Sequence, residues 1–166
     1  MTTAKTTLDP ARFRHVMGHL PTGVAVISAQ DRAGNPVGMA VGTFLSISLD
    51  PPLVGFFPAD TSTSFPRIED AGRFCVNILA QDQRSVCHAF AAQGGNKFAS
   101  VSWHLSPTGL PWLDDAVAWI ECEISSVTQA GDHKFVQARP HALTVDPNRA
   151  PMVFWAGTYH SLDPAH

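Results

Sequence analysis

The chain has 166 residues, 45% of them apolar and only 15% charged, with a formal net charge of −3 at pH 7. That length suits one domain with a full core, and the charged fraction is low against the usual quarter or so, leaving surface for a ligand or a partner subunit. With no Lys/Arg cluster and no apolar run of signal-peptide or membrane-spanning length, nucleic-acid binding and membrane insertion are excluded as expectations, which leaves a soluble, cytoplasmic, single-domain protein over residues 1–166 with its core at about 11–160.

In chain order, "LDPARFRHVMGHL" predicts a helix capped by Asp9, with Pro10 in its first turn and Phe13, Val16, Met17 and Leu20 on one face. "GVAVISAQ" and "VGMAVGTFLSISL" read as strands joined by the turn "DRAGNP". After Pro51-Pro52, "LVGFF" is a short strand. "STSFPRIEDAG" is a short helix starting near Ser62 or Ser64 and ending at Gly72, and "RFCVNIL" is a buried strand. "QDQRSVCHAFAA" predicts an amphipathic helix with Val86, Ala89 and Phe90 inward, followed by a long Gly/Pro-rich loop to about Asp115.

"AVAWIECEISSVTQ" alternates, which places Ile120, Cys122 and Ile124 inward and Glu121 and Glu123 outward. Gly131-Asp132 forms a hairpin turn into a returning strand "HKFVQARPHALTV", where Pro140 predicts a bulge or an edge. "PMVFWAGTY" supplies a last strand. About seven strands arriving mostly as hairpins, with two or three helices, favour a closed or nearly closed antiparallel β-barrel over a doubly wound sheet.

Cys75, Cys87 and Cys122 are scattered in apolar contexts and read as buried free thiols. His15 and His19 are four apart on the first helix, but lack a third ligand for a metal. Nucleotide loops of the dinucleotide and Walker types and the serine-hydrolase elbow are missing. Two hydroxyl clusters stand out instead. One is Thr43 with Ser46 and Ser48, beside the small residues Gly38, Ala40 and Gly42. The other is Thr61, Ser62, Thr63 and Ser64 at a predicted helix start, where free amides favour anions. With Lys97 in a Gly-rich loop, they balance a phosphate-bearing ligand against ordinary turn and cap chemistry. Trp155 and Tyr159, flanking Gly157, are core or dimer packing or a cover for a planar ligand.

The blocks "FRHVMGHLPTGVAVIS", "PVGMAVGTFLSISLDPPLV", "GRFCVNILAQDQ", "FAAQGGNKFASVSW", "LDDAVAWIECEI" and "AGDHKFV" lie in order from about Phe13 to Tyr159. Together they resemble the short-chain flavin reductases, the NAD(P)H:flavin oxidoreductase components of two-component monooxygenases. The resemblance implies a homodimeric FMN-binding split β-barrel, a Greek-key antiparallel barrel with peripheral helices. It also implies FMN or FAD as cofactor, NADH or NADPH as hydride donor, and a flavin-dependent monooxygenase as partner.

On this resemblance Pro36, Val37, Gly38, Met39 and Ala40, with Gly42 and Thr43, line the flavin. Phe57, Pro58, Ala59, Thr63 and Ser64 help hold its ring and phosphate, Phe90 joins the cofactor-facing set, and Lys97 lies near the phosphates. His133 positions the nicotinamide without acting as an obligatory acid, and Trp155 and Tyr159 lie near the same pocket. Gly42 stands where relatives commonly carry a polar residue, Asn96 where they carry an acid, and Ala138 and Pro140 where they continue with Gly and a β-branched residue. These departures motivate an alternative: a protein of the same fold, with or without flavin, put to another substrate or biosynthetic step. The lack of an Arg cluster for a 2′-phosphate tilts the donor toward NADH.

Overall fold

The computed structural model describes residues 8–162. Among them, helices α1 (Pro10–Met17), α2 (Phe65–Ala71) and α3 (Arg84–Ala91) accompany twelve strands. These are β1 (Thr22–Gly23), β2 (Ala25–Gln30), β3 (Pro36–Val41), β4 (Leu45–Leu49), β5 (Pro52–Phe56) and β6 (Arg73–Ile78), then β7 (Trp103–Leu105), β8 (Pro111–Leu113), β9 (Ala118–Ala130), β10 (His133–Val145), β11 (Met152–Trp155) and β12 (Thr158–Ser161). No helix among the described residues is long and apolar enough to cross a membrane.

Seven strands form the main antiparallel sheet in the order β3-β2-β6-β9-β10-β5-β4. Closure by a ladder, expected from the hairpin count, does not occur among the described residues: β3 and β4 end the sheet as edges. The sheet nevertheless curls around a core. Val37 and Val41 of β3 share a cluster with Val54 and Phe56 of β5, near the opposite edge, and with Phe65 and Ile68 of α2.

Side-chain alternation divides β2 between two cores. Ala25, Ile27 and Ala29 point into the α2 side, while Val26, with Val24 just before the strand, packs against Leu79, Cys87, Phe90 and Met152 on the α3 side. Ser28 falls on that second face and donates to the Pro111 carbonyl at 2.6 Å; Asn77 Nδ2 donates to Ser28 at 2.8 Å. Asn77 Oδ1 accepts from Leu113 N, also at 2.8 Å. A small buried polar network therefore ties β8 to the sheet.

Four sequence expectations change. The run from Val37 to Leu49 is two strands broken at Gly42–Phe44, and the run from Pro151 to Tyr159 is a hairpin turning at Ala156 and Gly157, both at positive φ. The loop before Asp115 contains the β7–β8 hairpin. Glu121, expected outward, is 1% exposed because that hairpin covers its face. Thr108 Oγ1 donates to it at 2.7 Å and Trp112 Nε1 at 2.9 Å.

Other readings hold. Asp9 accepts from the amides of Ala11 and Arg12 and caps α1, Gly72 ends α2 in the left-handed region, and all three cysteines are buried and free. β10 is irregular on both sides of the departures from the family pattern, between Gln137 and Ala138 and between Pro140 and Ala142. Proline has no N–H for a ladder, and only β9 flanks β10 at Pro140. The apolar face of α1 is not covered: Phe13, Val16, Met17 and Leu20 are all exposed.

Candidate functional site

Three adjoining clefts follow β3. As an edge strand it presents backbone N–H and C=O groups on the side away from β2. The first cleft, about 230 Å³, is walled by Pro36, Val37 and Gly38, by Thr63, Ser64 and Arg67, and by Gly94 to Phe98. A second, about 150 Å³, shares Thr63, Ser64 and Lys97 with it and adds Met39, Ala40, Ala59, Thr61, Ser62 and Phe90. A third, about 180 Å³, shares Ala40 with the second and is walled by Thr22, Gly42, Cys87, Phe154 and Tyr159. At about 3.3 Å per residue the groove runs roughly 20 Å from Pro36 to Gly42. It is polar and cationic at the Pro36 end and aromatic at the Gly42 end.

Gly38 forms part of the floor because nothing larger fits: a Cβ there would lie 2.6 Å from the Phe90 ring. Phe90 is itself buried by α3, which the Val86–Cys87–Phe90 stripe seats on the second core.

Lys97 stands where the first two clefts meet. Its Nζ donates to the Phe90 carbonyl at 3.0 Å, in the last turn of α3, and to Ser64 Oγ at 3.4 Å. A cation on the free carbonyls of a helix end is favourable. Burial holds its ammonium below the ordinary lysine value. No carboxylate lies within salt-bridge distance among the described residues. An ammonium has three donors, so one remains for an anion.

The hydroxyl cluster divides its work. Ser62 Oγ accepts from Phe65 N, the first amide of α2, at 3.1 Å, so that amide is not open to an anion as the sequence suggested. The Ser64 hydroxyl is turned to Lys97 instead. Thr63 is exposed on the wall of both clefts. Of the other cluster, Thr43 Oγ1 accepts from Phe57 N at 3.2 Å and holds the β4–β5 end in place.

His133 sits at the tip of the β9–β10 hairpin, where Gly131 takes the positive φ of the turn. This tip is sewn to the segment at Phe57-Pro58-Ala59. Ala59 bridges His133, Lys134 N donates to the Pro58 carbonyl at 2.9 Å, and Phe57 stacks on Phe135 with centroids 4.9 Å apart. His133 is 43% exposed and its Nδ1 lies 2.7 Å from Asp132 Oδ1. The hydrogen bond and charge of that imidazole hold the Asp132 carboxyl below its usual value. The imidazole thus stands beside Ala59, on the rim of the second cleft, rather than in its wall.

At the apolar end the Tyr159 hydroxyl lies 3.3 Å from Cys87 Sγ, and the Arg84 guanidinium lies over its ring. The Cys87 hydrogen bond and burial push the phenol up to about 12. Trp155 lies outside the groove: its indole donates to the His19 carbonyl at 3.0 Å. His19 in turn packs edge-on to His15, with Nδ1 donating to the His15 carbonyl.

The structure adds groove residues that spacing did not reveal. Arg67 is one, its Nε and Nη2 donating to Asp31 Oδ2 at 3.2 and 2.6 Å. Gly94, Gly95 and Phe98 are others. The cleft around Arg149, about 350 Å³, differs in kind: its one cation is already paired with Asp82, Asp115 and Asp146.

A half-buried ammonium with no carboxylate partner among the described residues, hydroxyls beside it and an aromatic end beyond suit an anionic ligand that carries a ring. The model of the flavin reductase like domain matches residues 17–163. The chain belongs to that family. It is similar to a flavin reductase of Pseudomonas putida, 44% identical over 93% of this chain and 91% of the relative. It is also similar to the reductase subunit HsaB of a flavin-dependent monooxygenase from Rhodococcus jostii, 42% identical over 95% of this chain and 80% of the relative. Among solved structures it resembles the Streptomyces globisporus NADH:FAD oxidoreductase SgcE6 in complex with NAD and FAD fragments. That likeness has a TM-score of 0.88 and 31% identity over 94% of each chain.

Proposed function

We propose that this flavin reductase family member is an NAD(P)H:flavin oxidoreductase that reduces FMN or FAD and supplies reduced flavin to a partner monooxygenase. The observation that carries the reading is Lys97, a half-buried cation with no carboxylate partner among the described residues, at the junction of two clefts edged by Thr63 and Ser64. When bound, the flavin accepts hydride from the reduced nicotinamide.

The protein's part is binding and alignment. Lys97, Thr63 and Ser64 hold the phosphate. Met39, Ala40, Gly42 and Ala59 would let the ring approach the backbone closely, and Phe90 and Tyr159 line the same clefts. His133 stands on the rim as a hydrogen-bond donor for the nicotinamide nucleotide, oriented by Asp132. Among the described residues the walls of the three clefts carry no paired acid and base, and the His133–Asp132 pair stands on the rim, which suits a hydride transfer needing orientation more than proton transfer.

In the same reading the curled sheet is a split barrel, residues 1–166 form one domain, the protein is cytoplasmic, and it works as a homodimer. The exposed apolar face of α1 and the apolar side chains of β4 support a subunit contact. Nicotinamide absorbance followed with each pair of FMN or FAD and NADH or NADPH tests the activity. Flavin-dependent oxidation is expected, fastest with NADH; a flat trace in all four mixtures refutes it.

A further inference from the structure

We infer that Arg67 is a specificity residue for a second phosphate, so that the first cleft holds the adenylate half of FAD and the chain prefers FAD to FMN. The inference rests on the flavin reading above. With the ring toward Tyr159 and Gly42 and its phosphate at Lys97, the mononucleotide ends where the first and second clefts meet. The groove does not end there. Beyond Lys97 lies the cleft of about 230 Å³, larger than the one that precedes it.

Its wall carries Lys97, with no carboxylate partner among the described residues, Arg67, which is paired with Asp31 but keeps N–H groups free, and the amide of Asn96. The cleft shares Thr63, Ser64 and Lys97 with the second cleft, so a ligand whose first phosphate sits at Lys97 can continue along it toward Arg67. Gly94 and Gly95 leave this side open, with φ near +73° and +71° and nothing within 4 Å of where a Cβ would be.

Arg67 is fixed by Asp31. That carboxylate accepts the Ala33 and Asn35 amides through Oδ1, which forms the β2–β3 turn, and accepts Arg67 through Oδ2. Two of the five guanidinium N–H groups are used in this way, and the plane is set. The Nη1 pair remains free among the described residues. A planar guanidinium with free N–H groups is suited to a phosphate oxygen pair.

The test is a fluorescence titration of FMN and FAD, without nicotinamide, on the wild type and on Arg67→Gln and Arg67→Lys. Thermal melts of each variant confirm that it is folded. The wild type is expected to bind FAD more tightly than FMN. Arg67→Gln raises the ratio of the FAD to FMN dissociation constants about tenfold, the scale of one charge-assisted hydrogen bond, and Arg67→Lys recovers part of it. An unchanged ratio in a folded Arg67→Gln overturns the inference, as does wild-type preference for FMN. If the wild type binds neither flavin, the flavin reading itself fails along with the inference.

Discussion

Lys97 joins fold and site in one side chain: it closes the last turn of α3 through the Phe90 carbonyl and keeps a donor for an anion. Lys97→Ala is expected to raise the flavin dissociation constant about tenfold while kcat at saturating flavin stays close to wild type. Because burial lowers its pKa, the ammonium is lost before the ordinary lysine range as pH rises. Flavin affinity therefore falls in alkaline solution, and Lys97→Arg flattens that fall, as a titration across pH will read. His133→Ala is expected to raise the KM for NADH more than the flavin dissociation constant; equal losses would make His133 a structural residue of the hairpin. Tyr159 is the only tyrosine in the chain, so its ultraviolet titration is unambiguous. The midpoint is expected at about 12. A folded-state value above the unfolded value of about 10 means the associated stability is full below that pH and lost as pH rises through about 12. A midpoint near 10 refutes the Cys87 contact. At this scale residue type and family blocks pointed to Lys97, Ser64 and His133 as candidates, and Lys97 and Ser64 line the clefts while His133 stands on the rim. Arg67 was not legible, because its partner Asp31 lies on a different element, 36 residues away.

The elements explain which patterns can be read and which cannot. Period-two alternation in "AVAWIECEISSVTQ" held at Cys122, which is buried. It failed at Glu121, because a strand pattern cannot foresee a hairpin arriving from a long loop. There, burial on its own would raise the carboxyl's pKa. Hydrogen bonds from Ser106, Thr108 and Trp112, with His141 beyond them, overcome that and hold it below the usual value. Glu121→Ala leaves the Trp112 indole and the Thr108 hydroxyl without this acceptor, and a urea melt is expected to show a loss of about 2 kcal/mol. Because the folded value is depressed, that stability is present above the unfolded carboxyl range and disappears as pH falls through the folded value. Gly38→Ala forces a Cβ into the Phe90 ring between β3 and α3, with an expected cost of about 1–3 kcal/mol and weaker flavin binding. A stable Gly38→Ala with wild-type affinity would show that α3 moves freely over β3.

For the whole molecule, the hairpins and the antiparallel class were readable because cross-strand pairing follows chain order for β2–β3, β4–β5 and β9–β10. The neighbours of β6 and the β10–β5 pairing are long-range and left no local signal. The open hydrogen-bonded edges at β3 and β4 were equally hidden. The exposed stripe on α1 is an amphipathic pattern without a partner among the described residues, which the homodimer reading accounts for. Sedimentation is expected to give the mass of two chains, and Phe13→Lys with Met17→Lys to shift it toward one. The central claim, that the groove along β3 brings a flavin and a reduced nicotinamide together, is tested most directly under anaerobic conditions. Stoichiometric NADH is mixed with FMN or FAD and a catalytic amount of the protein, and the flavin colour is followed. The account predicts bleaching that requires the protein and slows in Lys97→Ala at subsaturating flavin. Flavin that bleaches no faster with protein than without it would contradict the account.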